Sequence, residues 1–561
     1  MKRKYYSVYK LVRLLVILAI LPLFIQTNTF AQSSRGTEFW ICLPGNIDAG
    51  GVRQLYITAE TASNVSIIAS GVGFSTNVII PAGTLSTINL PSSIDVNSNG
   101  TIDNKGIHIT SDNPVTVYAM NQRNESTDAY LALPVDALGT DYAVMGYTED
   151  FGFALLSQMT IVAAENNTSV TITTTATGGG FTSGVPGNVL LNEGDVFQLR
   201  SGVNLSDYTG SRVVSDKPVS VFGGNNCTNI SGSLRACDHL VEQMTPTSAW
   251  GKSFLTVPLA TRVAGDVFRI MAQQNGTQVS INGVIVANLN AWQFYETILG
   301  SNTYNRITSN NPILIGQYSR SSQADNVTSD PFFALVPPDE QFLSNYVISA
   351  GTSNILNNYL NITSPTANTG SVIVDGAPLA PGLWSPIPGT TFSGAKVSVS
   401  SGVHSVNSPM PIGLLVYGFG SFDSYGYLGG QAFGAVATAT TLTISPVNGS
   451  AAVGNNQCWE AELLDQFGAP VAGVRVDFNV TGAHNGNSGF DFTDANGHAT
   501  YCFTGVNPGN DIIIANVGQL NATAQFNWTE GGTAVPVSNW AIYLGVMLAI
   551  GFIIIRFRKM I

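Results

Sequence analysis

One pattern constrains this chain more than any other: a unit of about a hundred residues returns four times. Ser111-Asp112-Asn113-Pro114-Val115-Thr116-Val117 recurs as Ser215-Asp216-Lys217-Pro218-Val219-Ser220-Val221 and as Ser309-Asn310-Asn311-Pro312-Ile313-Leu314-Ile315. A looser copy is Ser408-Pro409-Met410-Pro411-Ile412, and the aligned prolines stand 104, 94 and 99 residues apart. A second motif keeps the step: Ile57-Thr58-Ala59-Glu60, Val162-Ala163-Ala164-Glu165 and Ile270-Met271-Ala272-Gln273 each precede a Val-Ser/Thr-Ile triplet. A third places an aromatic eight residues after a proline, as in Pro134 with Tyr142, Pro246 with Phe254 and Pro338 with Tyr346. A fixed period of this kind marks a repeat architecture, in which neighbouring units bury faces that none could bury alone.

Each motif reads as a turn and then a strand. Asp or Asn before Pro starts a turn, Pro presets its φ, and Val-x-Val alternates as a half-buried strand does. In the first repeat, residues 55–60, 65–70, 76–81 and 85–90 read as four strands, and 106–110, 115–121, 129–134 and 141–147 as four more. Charged residues are only 10% of the chain, against roughly 25% in an ordinary soluble domain. Gly, Ser, Thr and Asn replace them, which suits short strands and turns better than surface helices. The expected fold is all-β. Four-strand units of ~45 residues fit propeller blades, and paired units fit tandem β-sandwiches; the propeller-like head is the preferred reading of the two.

Two apolar segments bracket the repeats. Residues 1–32 combine a basic start (Lys2, Arg3, Lys4), an apolar run over 14–25 and Thr29-Phe30-Ala31, the layout of a secretory signal cut before Gln32. Residues 540–555 are an uncharged run of 16, about 24 Å long as a helix. Arg556, Arg558 and Lys559 follow and stay cytoplasmic by the positive-inside rule. The expected organisation is a signal peptide over 1–31, a β-repeat head over 32–435, a smaller module over 438–530 and a transmembrane segment over 531–561. That places the protein at the cell surface. The five cysteines suit an oxidising compartment: Cys227 with Cys237 closes a small loop, Cys458 with Cys502 joins distant strands, and Cys42 remains as a small buried hydrophobe. A net charge of −12 excludes nucleic acid, whose phosphates need a basic face.

Three resemblances sharpen this picture. Val535-Pro536-Val537-Ser538-Asn539-Trp540 with the apolar span and basic tail resembles bacterial exosortase-type sorting signals, which implies cleavage near the motif and transfer to a surface anchor. Residues 438–530 hold about seven strands, the count of an Ig-like sandwich, with Cys458 and Cys502 spaced to cross it. Their run over 465–478 and Thr493-Asp494-Ala495-Asn496-Gly497 resemble the bacterial Ig-like domains of the intimin/invasin group, implying a rigid spacer. Gly36-Thr37-Glu38-Phe39-Trp40, the Ser-Asp-x-Pro copies, Ala129-Tyr130-Leu131-Ala132-Leu133-Pro134, Cys237-Asp238-His239-Leu240-Val241-Glu242-Gln243 and Val416-Tyr417-Gly418-Phe419 together resemble the N-terminal domain of IgGFc-binding proteins, over about residues 36–432. That resemblance brings no ligand-contact motif with it.

Candidate sites are few. Asp95, Asn97, Asn99 and Asp103 follow the first half of a calcium loop, but the twelfth position is Gly106 rather than a bidentate Glu, so an Asn-Gly hairpin turn is the favoured reading and calcium the alternative. His239 beside Asp238 and Glu242 suggests acid–base or metal chemistry, and its place after Cys237 favours a structural role. No His-Glu-x-x-His or Gly-x-Ser-x-Gly motif is present. Tyr417, Phe419, Phe422, Tyr425 and Tyr427 among glycines read equally as an exposed binding surface or as an inward-packed closing strand. The function expected is non-enzymatic binding or adhesion to an extracellular glycoprotein or matrix ligand, with no resident cofactor. The rivals are an extracellular hydrolase with a site in a propeller-like channel and a structural surface-layer component.

Overall fold

The computed structural model describes residues 33–558, apart from stretches at 48–49, 149–154, 203–204, 231–235, 352–353, 434–438, 466–469, 472–473, 495, 518–519 and 531–538. The expected signal peptide and the sorting motif up to residue 538 therefore lie outside the described residues. The chain divides into two compact units, Met1–Val436 and Ala437–Ile561.

The first repeat consists of β1 (Arg35–Ile41), β2 (Val52–Ala59), β3 (Ser63–Ala69), β4 (Phe74–Ile80), β5 (Thr84–Leu90), β6 (Ile102–Asp103), β7 (Ile107–Gln122) and β8 (Asp128–Leu131). The long strand β7 organises it. Its first half pairs with β1 and β3, and its second half with β2 and β8. β4 then adds to β3, and β5 to β2. Two four-stranded halves thus share one strand and close over Phe39, Leu55, Ile57, Val65, Ile67, Ile109 and Val117, the inward side of each alternation. The same order returns around the long strands Arg212–Thr228, Asn305–Tyr318 and Gly402–Gly420. The head is all-β, but a propeller-like arrangement is not observed. Propeller blades are four-stranded sheets of consecutive strands, whereas here each long strand draws neighbours from before and after it. Residues 141–147, expected to finish the first repeat, contribute instead to the opening strand Gly139–Ala143 of the second.

The Ser-Asp-x-Pro motif is not a turn that starts a strand, as expected; it is a large bulge inside one. Gly36 faces Val115 and Glu38 faces Thr110, so between these pairs one residue of the opening strand opposes four of the long one. The same shift recurs at Gly139/Asp141, Gly251/Ser253 and Leu343/Asn345. The long strand exchanges partners here, so the missing N–H of Pro leaves no ladder bond unmade. Three repeats stabilise the bulge identically. Ser111, Ser215 and Ser309 donate to the carbonyls of Asn113, Lys217 and Asn311 at 2.7, 2.6 and 2.6 Å. Asp112, Asp216 and Asn310 accept the N–H of Asn64, Ser169 and Gln278 at 2.8, 2.8 and 2.7 Å.

Successive repeats meet at a glycine–proline joint. The proline after each closing strand leads into a single 3₁₀ turn, as at Val135–Ala137, Thr247–Ala249 and Asp339–Gln341. Pro134, Pro246 and Pro338 then lie against Gly36, Gly139 and Gly251, where a Cβ would stand 2.2, 2.6 and 2.3 Å from the proline Cβ.

The second unit packs a three-stranded sheet and a five-stranded sheet around Trp459, Phe478, Ile513 and Trp528. Cys458 and Cys502 are bridged, but they face each other on neighbouring strands of one sheet rather than crossing between sheets. His484 is buried and structural: its Nδ1 lies 2.6 Å from Asp511 Oδ2, and its Nε2 accepts the N–H of Val506 and Asn507 at 2.8 and 3.0 Å. A helix, α1 (Asn539–Phe557), follows, with apolar residues exposed along its length.

Candidate functional site

The closing strands of the four repeats, β8, Asp238–Gln243, Phe333–Val336 and Asp423–Leu428, converge inside the head. Each pairs only with its own long strand, so its second edge carries N–H groups into a dry interior, where an unpaired donor costs about 1–3 kcal/mol. One carboxylate answers from all four repeats. Asp128 accepts Ala129 N at 2.9 Å, Val241 N at 3.1 Å, Phe333 N at 3.3 Å and Gly426 N at 3.3 Å. Around it, Glu242 accepts Leu335 N at 3.1 Å and Gln243 accepts Leu133 N at 3.0 Å. Register places Asp128 three residues before the partner of Tyr118, whereas Asp238, Asp330 and Asp423 stand five before the equivalent partners. Ser126 takes that place in the first repeat.

The electrostatics follow from burial. Burial pushes the Asp128 carboxyl well up, against the four N–H groups that pull it down. Asp238 is raised by burial and then by the charges of Asp330, Asp423 and Asp128. Burial, with Asp423 beside it, lifts Asp330 to about 8, and burial lifts Asp423 to about 7. His239 falls to about 3 through burial and the nearby Arg123, so it is neutral and lies with Nδ1 3.0 Å from the Asn225 carbonyl. Cys227 and Cys237 are bridged next to it. The four Asp carboxyls are at most 2% exposed. Asp128 joins the repeats, and Asp238 accepts from Ser424 Oγ of the fourth repeat at 3.3 Å. Among the described residues, no three His, Cys, Asp or Glu gather as a metal site.

Beside the hub, buried ion pairs pin connections of the first and third repeats. Asp95 is clasped by Arg53 and Arg123, and Arg262 holds Asp325 at 2.6 Å. Residues 95–103, the candidate calcium loop, have protein partners in the structure. The Asp95 carboxylate is committed to two guanidinium groups, Asn97 and Asn99 accept from Arg200 at 3.3 and 2.9 Å, and Asp103 lies in β6, paired with Val196 of the second repeat. The segment is a strap between the first and second repeats.

The aromatic surface is also corrected. Tyr417, Phe419, Tyr425 and Tyr427 are buried, and only Phe422, at 43%, is exposed. Tyr417 donates to Asn361 at 2.8 Å and accepts Ala260 N at 2.8 Å; Tyr425 donates to Asn358 at 2.9 Å. The closing strand is covered on both faces, so its alternation does not mark an outer side. Sequence reasoning missed Asp128, although an Asp ahead of an apolar run recurs at Asp128, Asp238, Asp330 and Asp423 and could have signalled the hub. Cys42 is buried, which raises its thiol well above the ordinary range.

These features define an all-β, disulfide-bonded head of four fused repeats built on a buried polar hub. The family described as IgGFc binding protein matches residues 128–418, just over half of the chain, from the hub aspartate onward, and the chain belongs to that family. The human IgGFc-binding protein is 26% identical over 379 residues, covering 65% of this chain and 7% of that protein, so the chain spans less than a tenth of its relative's length. Among solved structures, the D0–D1 domain of intimin shares 16% identity over 33% of this chain and 89% of its own, with a TM-score of 0.14. Surface layer protein SbsC, domains 1–6, shares 11% over 89% and 55%, with a TM-score of 0.15. Scores this low carry no argument about the fold.

Proposed function

We propose that this chain is an exported cell-surface binding protein: the four-repeat head presents its surface to an extracellular glycoprotein, the second unit serves as an Ig-like stalk, and α1 holds the assembly to a membrane. The observation that carries the reading is the hub. Its central carboxylate, Asp128, is buried and joins the four repeats, while buried Arg–Asp pairs fix connections of the first and third repeats beside it, and loops held on a rigid scaffold suit recognition. Family membership supports it, as do the two disulfides and an exposed apolar helix with Arg556 in its last turn and Arg558 just after it. Immunoglobulin Fc is one ligand to try, because the human relative is named for it. The full chain in detergent, applied to a glycoprotein and glycan array that includes Fc, is expected to bind at least one member saturably under oxidising conditions. Flat responses across the array would count against the reading.

A further inference from the structure

We propose that the seam between the third and fourth repeats is a binding site for a carboxylated sugar residue, an inference that rests on the glycoprotein-binding role above. The seam opens into a groove of about 500 Å³ lined by Leu255, Arg306, Asp339, Thr391 and Phe392. Its floor is apolar and preformed. Leu255 and Phe392 pack in one cluster with Phe342 and Ile387, and Phe392 meets Phe342 edge-on at 6.4 Å. Arg306 stands on one wall, on the long strand opposite Leu255. Asp339 stands on the 3₁₀ turn that begins the fourth repeat, fixed by a 2.9 Å bond from Ser253 Oγ.

The charges of this groove do not neutralise each other. Elsewhere in the head, Arg35 pairs with Glu60, Arg53 and Arg123 with Asp95, Arg212 with Asp141, Arg262 with Asp325, and Arg269 with Asp207 and Glu296. The Arg306 guanidinium has no such partner among the described residues, although Asp339 lines the same groove. A guanidinium fork matches a carboxylate in two parallel bonds. Asp339 and the Thr391 hydroxyl supply an acceptor and a donor for sugar hydroxyls, and the apolar floor covers the C–H face of a ring. A hydroxyl-rich acid uses all of these groups; a neutral sugar leaves Arg306 without a counter-charge.

The test titrates the full chain in detergent with oligogalacturonate, sialyllactose, lactose and an acidic peptide. The proposal expects saturable binding of at least one carboxylated sugar, with lactose about tenfold weaker or worse. Arg306→Gln should reduce that affinity about tenfold, and Thr391→Ala about threefold. Both variants should retain the wild-type unfolding midpoint, since both side chains lie at the surface. Equal binding by Arg306→Gln overturns the site, as does binding of the acidic peptide without either sugar acid. A chain that captures glycoproteins but ignores every carboxylated sugar sinks this site and leaves the wider role standing. A chain that binds nothing on the array or in titration removes both.

Discussion

Asp128 gathers one N–H from each of the four repeats, so its loss should be felt by the whole head. Asp128→Ala leaves those donors unpaired in a dry interior and is expected to lower the stability of the head by about 4 kcal/mol. Asp128→Asn, which keeps one carbonyl oxygen, should cost less. Denaturant unfolding of the full chain checks this, and an unchanged Asp128→Ala midpoint would contradict the hub. The neighbouring acids make stability depend on pH. Asp330 and Asp423 titrate at about 8 and about 7 when folded, against 3.8 as the ordinary value. Such groups take up protons on folding, so the stability they contribute is complete below the unfolded value and is lost as pH rises through the folded ones. The thermal midpoint of the head should therefore fall between about pH 4 and about pH 8, and Asp330→Asn with Asp423→Asn should flatten that slope. A midpoint that climbs over the same range would refute the assignment. The acids themselves were visible in the sequence. Their convergence was not, because the hub acid sits two places further along its strand than its counterparts, and that offset appears only in the register.

At the scale of strands and joints, the hundred-residue step was legible because a bulge and a proline joint each demand particular residues. What the pattern means locally was not. Proline lacks a donor equally in a turn and in a bulge, and Val-x-Val alternates the same way on both sides of a bulge, so a continuous strand reads as two. The joints can be tested by substitution. Gly139→Ala would drive its Cβ to 2.6 Å from that of Pro246, and the crowding should cost about 2 kcal/mol. Tyr142→Phe removes only the bonds from Tyr142 Oη to the Val219 carbonyl and from Gly139 N to Oη, at 2.8 and 2.7 Å. The third repeat already carries Phe254 at this place, so a loss of about 1 kcal/mol is expected. Thermal melts that rank these two variants the other way would show that the joint tolerates a side chain. The aromatics of the closing strand illustrate a second limit: Tyr and Phe among Gly look the same on an outer surface and beside a crowded hub, where glycine lets strands approach.

Across the whole head, the chain returns to its own beginning. Ser34 N donates to the Gln431 carbonyl at 2.7 Å, and Gln431 N donates to Ser34 Oγ at 3.0 Å. The first and fourth repeats are thus joined where no linker runs, and the four repeats form one closed unit. The apolar helix Asn539–Phe557 was legible in the sequence, because hydrophobic length and flanking charge announce themselves; a surface made from residues of separate repeats is silent until they are folded together. The claim on which the account depends is that this head recognises a partner from outside the cell. Its most direct test is the capture of fluorescent glycoproteins, Fc included, by intact cells bearing the full chain, before and after treatment with a membrane-impermeant protease. The account predicts saturable capture that the protease abolishes. Cells that capture nothing, while the head stays protected from the protease, would contradict it.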